Sequence, residues 1–460
     1  MTRLKRLALA VVGALTIAGA AGITPVGAAD APPATPAPAT ADAGATATTT
    51  PIKHFVSVMQ ENHTFDNYFG TYPGADGIPA NACMPIDTKA PSATNCVKPF
   101  RIGKRPISDL ASGVAPFDAA FGKGAMNGFV AAQSTNGVAV DLPMGHYDDR
   151  DIPYYWNLAD QYVLFDRFFT SIGGGSVWNH LFWVSGQPGN TAAGESVPAD
   201  GYPASIQTIF DELQAKGISW KFYVQNYDPN VNYRSGRDTK RGAQVPRVPL
   251  LAMSRFLDNP ALKAHIVPLD EYYNDLEQGT LPAVSYIVPS GNSEHPPGNI
   301  QSGQAFVRSI VNSLQRSTAW PSSALLLTYD SWGGWYDHVT PPAGYGFRSP
   351  AILVSAYAQH GAVDHTQLDF TSILKFIERN WSLPALPKQR VVANDFGDAF
   401  AFNVAPRPAQ FVPSVRHPAT TPAPKRGIIY FAYGGAFIFS VVLIAVAARS
   451  MRRRTIGAAS

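Results

Sequence analysis

The chain has a low proportion of charged residues. Asp, Glu, Lys and Arg make up 15% of its 460 residues, against roughly 25% in an average globular protein. Hydrophobic residues make up 45%, and there are 39 glycines and 39 prolines. This composition suits a globular core with many turns. It excludes a coiled coil, a multi-span membrane protein and a wholly disordered chain.

Acidic residues are absent from both ends of the chain. Residues 1–28 and 425–460 contain no Asp or Glu, and their basic residues turn the net charge of −6 on residues 29–424 into +3 for the whole chain. A mildly acidic folded part lacks the basic surface that binding to a phosphate backbone requires. The charge distribution therefore predicts that nucleic acid is not a partner.

The N-terminal residues predict export rather than a folded element. Residues 1–28 begin with basic residues, continue with an apolar stretch over residues 7–22 and end in small residues, which is typical of a secretory signal peptide. Residues 29–50 are mostly Ala, Pro and Thr. Such a segment buries too little apolar surface to order itself, so we predict a spacer there.

The C-terminal residues predict a membrane anchor. Residues 427–448 are 22 residues without a charge, long enough to cross a ~30 Å hydrocarbon core. Basic residues follow at 449 and 452–454, as the positive-inside rule requires. We predict a Pro-rich stalk at 404–426, one transmembrane helix at 427–448 and a basic cytoplasmic tail at 449–460. A buried core helix is the alternative interpretation of 427–448. The folded domain, residues 51–403, would then lie outside the cytoplasm at the cell membrane.

The chain has only two cysteines, Cys83 and Cys96. Two cysteines are too few for a four-cysteine zinc site. An exported protein meets an oxidising environment, which favours a disulfide, and a bridge that closes so short a loop would stabilise the fold by about 3 kcal/mol. The alternative is two independent buried thiols.

Short apolar segments alternate with helical patterns. Segments 55–59, 284–288, 325–329 and 351–355 predict buried strands. Amphipathic patterns predict helices at 152–160, 206–216, 306–315 and 371–379. This alternation predicts an α/β fold, with a mostly parallel central sheet covered by helices on both faces. In such sheets ligands bind beyond the carboxyl ends of the strands.

Polar residues are concentrated at the predicted strand ends. Glu61 and Asn62 follow the first strand, Glu294 and His295 follow the second, and Asp330 follows the third. Carboxylate and amide oxygens together with imidazole nitrogens are ligands for divalent cations. We therefore predict a site for a divalent metal ion at this edge of the sheet.

Ser176 is a candidate nucleophile. Three glycines at 173–175 precede it, and glycines let a backbone approach a ligand closely. A serine hydroxyl needs a base or a metal to become a good nucleophile. The G-x-S-x-G motif of carboxylesterases does not surround Ser176, and the chain has no G-x-x-x-x-G-K-[ST] loop. A carboxylesterase triad and nucleotide hydrolysis are therefore not favoured.

Five segments resemble, in order, the bacterial phosphoesterase family of phospholipases C and acid phosphatases, which belongs to the alkaline-phosphatase-like superfamily. They are HFVSVMQENHTFDNYFGTYPGADGIP, DIPYYWNLADQYVLFDRFF, SEHPPGNIQSG, LLLTYDSWGGWYDHVTPP and GFRSPAILVSAYA with VDHTQLDFTSILKFIERNW. The resemblance covers about residues 52–385. It implies an alkaline-phosphatase-like fold and a metal-assisted hydrolase that forms a phosphoseryl intermediate. A phosphate ester, such as a phospholipid, is the implied substrate, and the predicted anchor slightly favours phospholipase C.

The resemblance also implies metal ligands. The family's first metal-binding pair falls on Glu61 and Asn62, and its second metal motif falls on Asp330. Its nucleophile, which also contacts the metal, falls on Ser176.

Three further residues match catalytic positions of the family. The substrate-orienting Asn falls on Asn179, and the His of the acidic-His-Pro motif falls on His295. His146 matches a His that precedes the DIPYYW segment. We expect Asn179 to hold phosphoryl oxygens and His295 or His146 to protonate the leaving oxygen.

The chain departs from the family at two positions. Ser331 stands where the family usually has a second acid, and His180 stands where it often has Arg. Losing a carboxylate beside a dication should weaken metal binding unless Asp337 or Glu294 reaches in. These departures support an alternative, a surface binding protein on a catalytically weakened scaffold. Sulfatase chemistry is not favoured, because no C/S-x-P-x-R motif lies near residue 176.

Each candidate residue also has a structural interpretation. Glu61 and Asn62 would then lie in a solvated turn, and Asp330 would cap a helix or a turn. Ser176 would cap the helix that follows it, and His295 would be a solvated surface residue.

The remaining histidines and aromatic residues are weaker candidates. His338 either lines the pocket or binds a backbone carbonyl. We expect structural or exposed positions for His54, His360 and His365. Four aromatic residues are expected in the core rather than in a cage for a choline head group: Tyr155, Trp332, Trp335 and Tyr336.

Overall fold

A computed structural model of the chain describes residues 47–92, 94–235, 244–296, 298–387 and 394–416. The predicted signal peptide, most of the predicted spacer, and the predicted transmembrane helix and tail lie outside the described residues. Within those described ranges, no helix is long and apolar enough to cross a membrane.

The described residues contain twelve strands, of which several are short. They are β1 (His54–Gln60), β2 (Met84–Pro85), β3 (Cys96–Val97), β4 (Phe100–Arg101), β5 (Gly145–His146), β6 (Val163–Phe165), β7 (Trp220–Val224), β8 (Ile266–Pro268), β9 (Val284–Val288), β10 (Ser323–Tyr329), β11 (Ala351–Ser355) and β12 (Ala362–Asp364).

The same residues contain eleven α-helices. They are α1 (Phe65–Phe69), α2 (Val114–Phe121), α3 (Pro153–Gln161), α4 (Ser176–Ser185), α5 (Ile209–Ala215), α6 (Gln244–Arg247), α7 (Ser254–Leu257), α8 (Pro260–Lys263), α9 (Asp270–Gln278), α10 (Ile300–Arg316) and α11 (Phe370–Asn380). Short 3₁₀ helices cover Gly122–Gly124, Ala131–Gln133, Leu142–Met144, Thr191–Ala193, Pro249–Ala252, Trp320–Ser322 and Gly397–Ala399.

Eight of the strands form one sheet in the order β12-β6-β11-β10-β1-β9-β7-β8. β1 is parallel to β10 and β9, β7 is parallel to β9 and β8, and β12 is parallel to β6. β11 is antiparallel to both of its neighbours, β10 and β6. The predicted α/β fold with a mostly parallel central sheet is therefore confirmed, with β11 as the one reversed strand of this sheet.

Helices cover both faces of the sheet, as adjacent residues of β7 show. Phe222 packs against Trp183 of α4, whereas the next residue, Tyr223, packs against Tyr272 of α9. Because successive side chains of a strand point to opposite faces, α4 and α9 lie on opposite sides. α5 and α11 pack on α4, and α10 packs on α9 and α3, so each face carries its own helix layer.

Local capping signals fix where two of the longer helices begin. Asn299 accepts hydrogen bonds from the N–H groups of Gln301 and Ser302 at the start of α10. Asp369 and Ser372 form a capping box at the start of α11. Such caps satisfy N–H groups that have no partner inside the helix.

All four predicted strands and all four predicted helices are present, although several ends differ. The sequence reading missed four strands of the sheet. β6, β8 and β12 have three residues each, which is too short for a clear pattern. In β7, Lys221 interrupts the apolar residues.

Residues 404–416, predicted as part of the stalk, pack against the domain. The Trp320 indole N–H donates to the carbonyl of Arg407 at 3.0 Å. The Asn157 amide donates to the carbonyl of Pro413 at 2.9 Å, and Val412 is buried. The folded domain therefore extends to at least residue 416.

The segment between α1 and α3 carries the disulfide. Cys83 and Cys96 are bonded, with Cα atoms 5.4 Å apart, which confirms the predicted bridge. It lies at the β2–β3 pair. The aromatic residues expected in the core are all buried: Tyr155, Trp332, Trp335 and Tyr336.

Candidate active site

The two acids of the candidate site follow two adjacent strands. In the β1–β10 pair Gln60 lies opposite Tyr329, so Glu61 and Asp330 leave the same edge of the sheet side by side. Both side chains are buried. Asn62 has a left-handed φ of 55°, and its N–H donates to Asp330 Oδ1 at 3.0 Å. The turn after β1 therefore wraps around the Asp330 carboxylate and is not a solvated turn.

α4 brings two more polar groups to Asp330. Ser176 is the first residue of α4, and Gly175 occupies the N-cap position. The Ser176 hydroxyl therefore does not cap the helix, and it lies close enough to the Asp330 carboxylate to favour its ionised form. His180 lies one turn further on the same helix face, with Nε2 3.4 Å from Asp330 Oδ2.

These groups determine the charge state of Asp330. Burial alone would raise the pKa of this carboxyl. The His180 ring, with smaller effects from Asn62 and Ser176, outweighs burial and lowers that pKa below its ordinary value. Asp330 is therefore an anion at neutral pH, able to bind a cation or accept a proton.

The arrangement fits one divalent cation. Ligand atoms of Glu61, His180 and Asp330 all lie within 4.8 Å of one another. Among the described residues, His180 Nε2 and Asp330 Oδ2 are buried without a hydrogen-bond partner, whereas buried polar atoms normally have one. Two carboxylates, an imidazole and a nearby hydroxyl form a donor set that suits a transition metal.

Ser331 lies beside this group and offers no charge. It is buried, and its hydroxyl donates to Asn62 Oδ1 at 2.8 Å. The Asn62 oxygen, which we predicted to bind the metal, is thereby engaged by a protein donor. The ligand atoms of Glu61, Asp330 and His180 lie together, so His180 is a candidate ligand that the sequence prediction did not include. The role predicted for Asn62 as a metal ligand stays a prediction.

Neither acid that we expected to compensate for Ser331 reaches the site. Asp337 accepts from Arg348 Nε at 2.9 Å. Glu294 is enclosed by three phenol groups, and burial raises its pKa to about 7. The phenols belong to Tyr68 at 2.6 Å, Tyr329 at 3.0 Å and Tyr155. The missing carboxylate therefore has no replacement among these candidates.

Glu61 is bound by a residue that the sequence analysis did not identify. Arg247, the last residue of α6, contacts Glu61 Oε1 through Nε and donates from Nη2 to Oε2 at 2.6 Å. Ser293 Oγ donates to the same oxygen at 2.7 Å. Burial lowers the pKa of Arg247 to about 10, which leaves it charged at neutral pH. No motif or strand end marks position 247, so only the three-dimensional fold reveals this contact.

Asn179 binds the glycine loop. Its Oδ1 accepts from the Ile172 N–H at 3.2 Å, and its Nδ2 donates to the Ile172 carbonyl at 3.2 Å and to the Gly175 carbonyl at 3.5 Å. Asn179 is fully buried. It holds the loop that precedes the serine, and the predicted contact with phosphoryl oxygens stays a prediction.

Neighbouring side chains explain two of the three glycines. A Cβ atom on Gly173 would lie 2.2 Å from the Phe117 ring, and one on Gly175 would lie 2.2 Å from Glu195. The Gly175 N–H donates to Glu195 Oε1 at 2.8 Å. We expected these glycines to admit a ligand, but protein side chains fill the space beside them.

His295 lies at the exposed edge of the site. Its side chain is 38% exposed, with Nδ1 3.8 Å from Asp109 Oδ1 and 2.7 Å from the Pro296 carbonyl. Burial, with a smaller effect of the His295 charge, lowers the pKa of His63 to about 3. His63 directly follows Asn62, so His295 lies within electrostatic range of the site.

His146 lies among other acids. The charges around its half-buried ring are those of Asp148, Asp151 and Asp66, and burial lowers its pKa. Among the described residues no hydrogen bond or ion pair joins His146 to Asp330. Its predicted role as a proton donor has no contact to support it.

The sequence of the chain matches the Phosphoesterase family over residues 52–384. The chain belongs to the phosphoesterase family. It is 28% identical to phospholipase C A of Mycobacterium tuberculosis, with 82% of each chain covered. It is 27% identical to non-specific phospholipase C6 of Arabidopsis thaliana, with 78% of this chain and 74% of that one covered. The protein is therefore a phosphoric ester hydrolase, as the resemblance implied.

Solved structures give weaker likenesses. A protein of the alkaline phosphatase superfamily from Vibrio parahaemolyticus is 11% identical and covers 72% of this chain and 67% of its own, with a TM-score of 0.32. The phosphonate monoester hydrolase of Agrobacterium radiobacter is 9% identical and covers 75% and 78%, with a TM-score of 0.37. The assignment to the family depends on the sequence match.

Proposed function

We propose that this phosphoesterase cleaves phosphate esters with the help of a divalent metal ion, through a phosphoseryl intermediate on Ser176. The observation that carries the proposal is the grouping of the Glu61 and Asp330 carboxylates with the ring of His180, which lies on the helix that begins with Ser176. The substrate is either a phosphodiester of the phospholipase C type or a phosphomonoester of the acid phosphatase type.

The residues present would hold one metal ion. A divalent ion bound by Glu61, Asp330 and His180 would polarise a phosphoryl oxygen and favour the alkoxide of a nearby serine. The protein itself keeps these side chains fixed, because Glu61 and Asp330 follow adjacent strands and His180 lies on α4.

The first step transfers the phosphoryl group to the enzyme. Ser176 loses its proton to solvent, the serine oxygen bonds to phosphorus, and the bond from phosphorus to the leaving oxygen breaks. His295 gives a proton to that oxygen, a role worth typically 10²–10⁴-fold in rate. The N-terminal end of α4 carries the positive end of the helix dipole, which stabilises negative charge on the phosphoryl oxygens.

The second step restores the enzyme. Water attacks phosphorus and gives up a proton to the His295 ring, which the first step left deprotonated. The serine oxygen leaves phosphorus and takes back a proton from solvent. The products are an alcohol and either phosphate or a phosphomonoester. Each cycle consumes one ester and one water.

Two observations favour a phospholipid as the substrate. The relatives from M. tuberculosis and A. thaliana are named phospholipases C. The predicted membrane segment at 427–448 would keep the domain close to lipid. A phospholipase C would release the phosphorylated head group from such a lipid.

We further propose that the domain works outside the cytoplasm on a single membrane span. The disulfide between Cys83 and Cys96 supports this location, because such bonds persist in oxidising compartments. Alkaline extraction of membranes tests it. The full chain should stay in the pellet, and a chain that ends at residue 426 should be released. Release of the full chain would contradict the anchor.

The activity is tested with the purified full chain in detergent. Hydrolysis of p-nitrophenyl phosphate, bis-p-nitrophenyl phosphate and phosphatidylcholine is measured with EDTA and with single added divalent metals. Ser176→Ala should reduce turnover by roughly 10³-fold or more, because it removes the nucleophile. Ser185→Ala, at the other end of the same helix, is the matched control and should retain activity.

The alternative is a binding protein on a weakened scaffold. Two contacts favour it: Ser331 engages the Asn62 oxygen, and Arg247 occupies the Glu61 carboxylate. No turnover with any metal, together with identical behaviour of wild type and Ser176→Ala, would support this alternative and reject the hydrolase mechanism.

A further inference from the structure

Arg247 is a largely buried cation in the proposed site. Its side chain is 12% exposed, and that of Glu61 is 4% exposed. Burying a guanidinium is costly unless it is paired, and Glu61 is the acid that pairs it. α6, which ends at Arg247, packs against α4, the helix that begins with Ser176.

Some N–H groups of the Arg247 guanidinium make no hydrogen bond to the described residues. Nη1 donates to the Pro289 carbonyl at 3.2 Å, while Nε and Nη2 bind the two oxygens of Glu61. A guanidinium has five N–H groups. Hydrogen bonds use one N–H of Nη1 and one of Nη2, Nε makes none, and the second N–H of each terminal nitrogen makes no hydrogen bond to the described residues. The group is thus anchored at the end of β9 and at the end of β1.

Arg247 also lies close to Asp330. A carboxylate oxygen of Asp330 lies within 4.8 Å of one of Glu61, the acid that Arg247 contacts. His180, one turn after Ser176 on α4, lies 3.4 Å from the same Asp330. A phosphate group attacked by Ser176 would therefore lie near the strand edge that holds the guanidinium.

The charges of the site match a phosphodiester when Arg247 is counted. Glu61 and Asp330 contribute two negative charges, and Arg247 contributes one positive charge. With a divalent ion the sum is one positive charge, equal and opposite to that of a phosphodiester. Guanidinium groups bind phosphate oxygens strongly because donor and acceptor are both charged.

We propose that Arg247 is a substrate-binding residue, which donates its free N–H groups to a non-bridging oxygen of the phosphate while it remains anchored on Glu61 and on the Pro289 carbonyl. This inference deepens the proposed function and rests on it for the identity of the substrate. Arg247 in α6 would then supply a permanent positive charge, which a histidine at position 180 does not.

The test measures binding separately from turnover. Inorganic phosphate is titrated by calorimetry into the full chain in detergent, with saturating Mn²⁺ present, and Mn²⁺ alone is titrated in a second series. Arg247→Gln should weaken phosphate binding roughly 10- to 100-fold, as expected for loss of a charged hydrogen bond. Mn²⁺ binding should not weaken, because the Glu61 and Asp330 carboxylates remain in place.

Two further variants keep the test interpretable. Arg247→Lys keeps the charge without the planar fork and should recover part of the phosphate affinity, even if Arg247→Gln folds poorly. Arg255→Gln removes a comparable arginine, which pairs with Asp211 at 2.6 Å outside the site, and should bind phosphate like wild type.

Unchanged phosphate affinity in Arg247→Gln would overturn the inference. Equal losses of phosphate and Mn²⁺ affinity in both Arg247 variants would overturn it too, since they would indicate a structural role. The proposed function fails separately. A wild-type protein that binds phosphate through Arg247 but hydrolyses none of the three substrates would reject the hydrolase mechanism and keep the binding role.

Discussion

Two buried clusters of the described residues have the same composition and different hydrogen bonding. Each brings ligand atoms of two carboxylates and one histidine within 4.8 Å of one another. The site cluster consists of Glu61, His180 and Asp330. The scaffold cluster consists of Asp66, Asp337 and His338.

In the scaffold cluster every acid has a cationic partner. Arg348 donates from Nη2 to Asp66 and from Nε to Asp337, both at 2.9 Å. His338 lies 2.7 Å from Asp66 through Nδ1 and 3.2 Å from Asp76 through Nε2. Burial would otherwise raise the pKa of Asp337 further than its value of about 6, and Arg348 opposes that effect. No buried carboxylate in this cluster depends on an added ion.

In the site cluster, by contrast, two buried polar atoms are not hydrogen-bonded. Asp330 Oδ2 and His180 Nε2 have no hydrogen-bond partner within the described part of the chain. They also lie beyond the carboxyl ends of the strands, where α/β sheets bind ligands. Residue type alone therefore does not distinguish the two clusters, whereas polar atoms without a hydrogen-bond partner at a strand edge do.

The largest effect is expected from a substitution that disrupts the scaffold cluster. Arg348→Met removes the cation shared by Asp66 and Asp337, which leaves Asp337 without a cationic partner and Asp66 with His338 alone. The free energy of unfolding should fall by about 3–5 kcal/mol, the usual result of breaking a buried ion pair. Urea denaturation followed by circular dichroism measures this change.

Arg255→Met is the control for that variant. It breaks a partly exposed pair with Asp211 and should cost no more than about 1 kcal/mol. Two outcomes would show that the scaffold interpretation of this cluster is wrong. One is a loss of unfolding free energy in Arg348→Met as small as that in Arg255→Met. The other is a stable Arg348→Met protein that binds metal at the site cluster less tightly than wild type.

An intermediate effect concerns Glu294, a buried acid that has phenols and no cation for partners. Its pKa in the folded protein is raised to about 7 from an ordinary 4.5, so the folded state holds a proton that the unfolded state releases. Its stabilising effect is therefore complete below about pH 4.5 and is lost as pH rises through 7. The loss amounts to about 3 kcal/mol at most.

Glu294→Gln should remove this dependence. Urea denaturation at pH 5 and pH 8 gives the change in unfolding free energy between the two values, which should be smaller in the variant than in wild type. Glu277→Gln changes an exposed residue of α9 and should behave like wild type. An identical pH dependence in wild type and Glu294→Gln would show that Glu294 is ionised in both states.

The sequence predicted those parts of the fold that local patterns determine. Continuous apolar strands such as β9 were found, whereas β7 was missed because Lys221 lies within it. In the structure the Lys221 ammonium binds Asp275 at 2.6 Å, a partner 54 residues away. A charged residue in a buried strand is compatible with the fold only through such a distant contact, which no local pattern reveals.

The same limit applies to the site. Glu61, Asp330 and Ser176 were found because each directly follows a strand or a glycine run. Arg247 was not, because it is separated by 186 residues from its partner Glu61 and belongs to a four-residue helix. Resemblance to the family supplied roles for Asn179 and His146, but the contacts of these side chains come from the packing of this particular chain.

The smallest expected effect restores charge to the site cluster. Ser331→Asp adds a carboxylate beside Asp330, and Mn²⁺ titrated into the variant should bind about tenfold more tightly, which corresponds to about 1.4 kcal/mol. Ser331→Asn is the matched control, since it has the shape of Asp without the charge and should gain nothing. The added acid has no cation of its own, so the variant without metal should melt at a lower temperature than wild type and recover when Mn²⁺ binds. Equal Mn²⁺ affinity in the Asp and Asn variants would mean that position 331 does not face the ion, and the contrast between the two clusters would then depend on Asp330 and His180 alone.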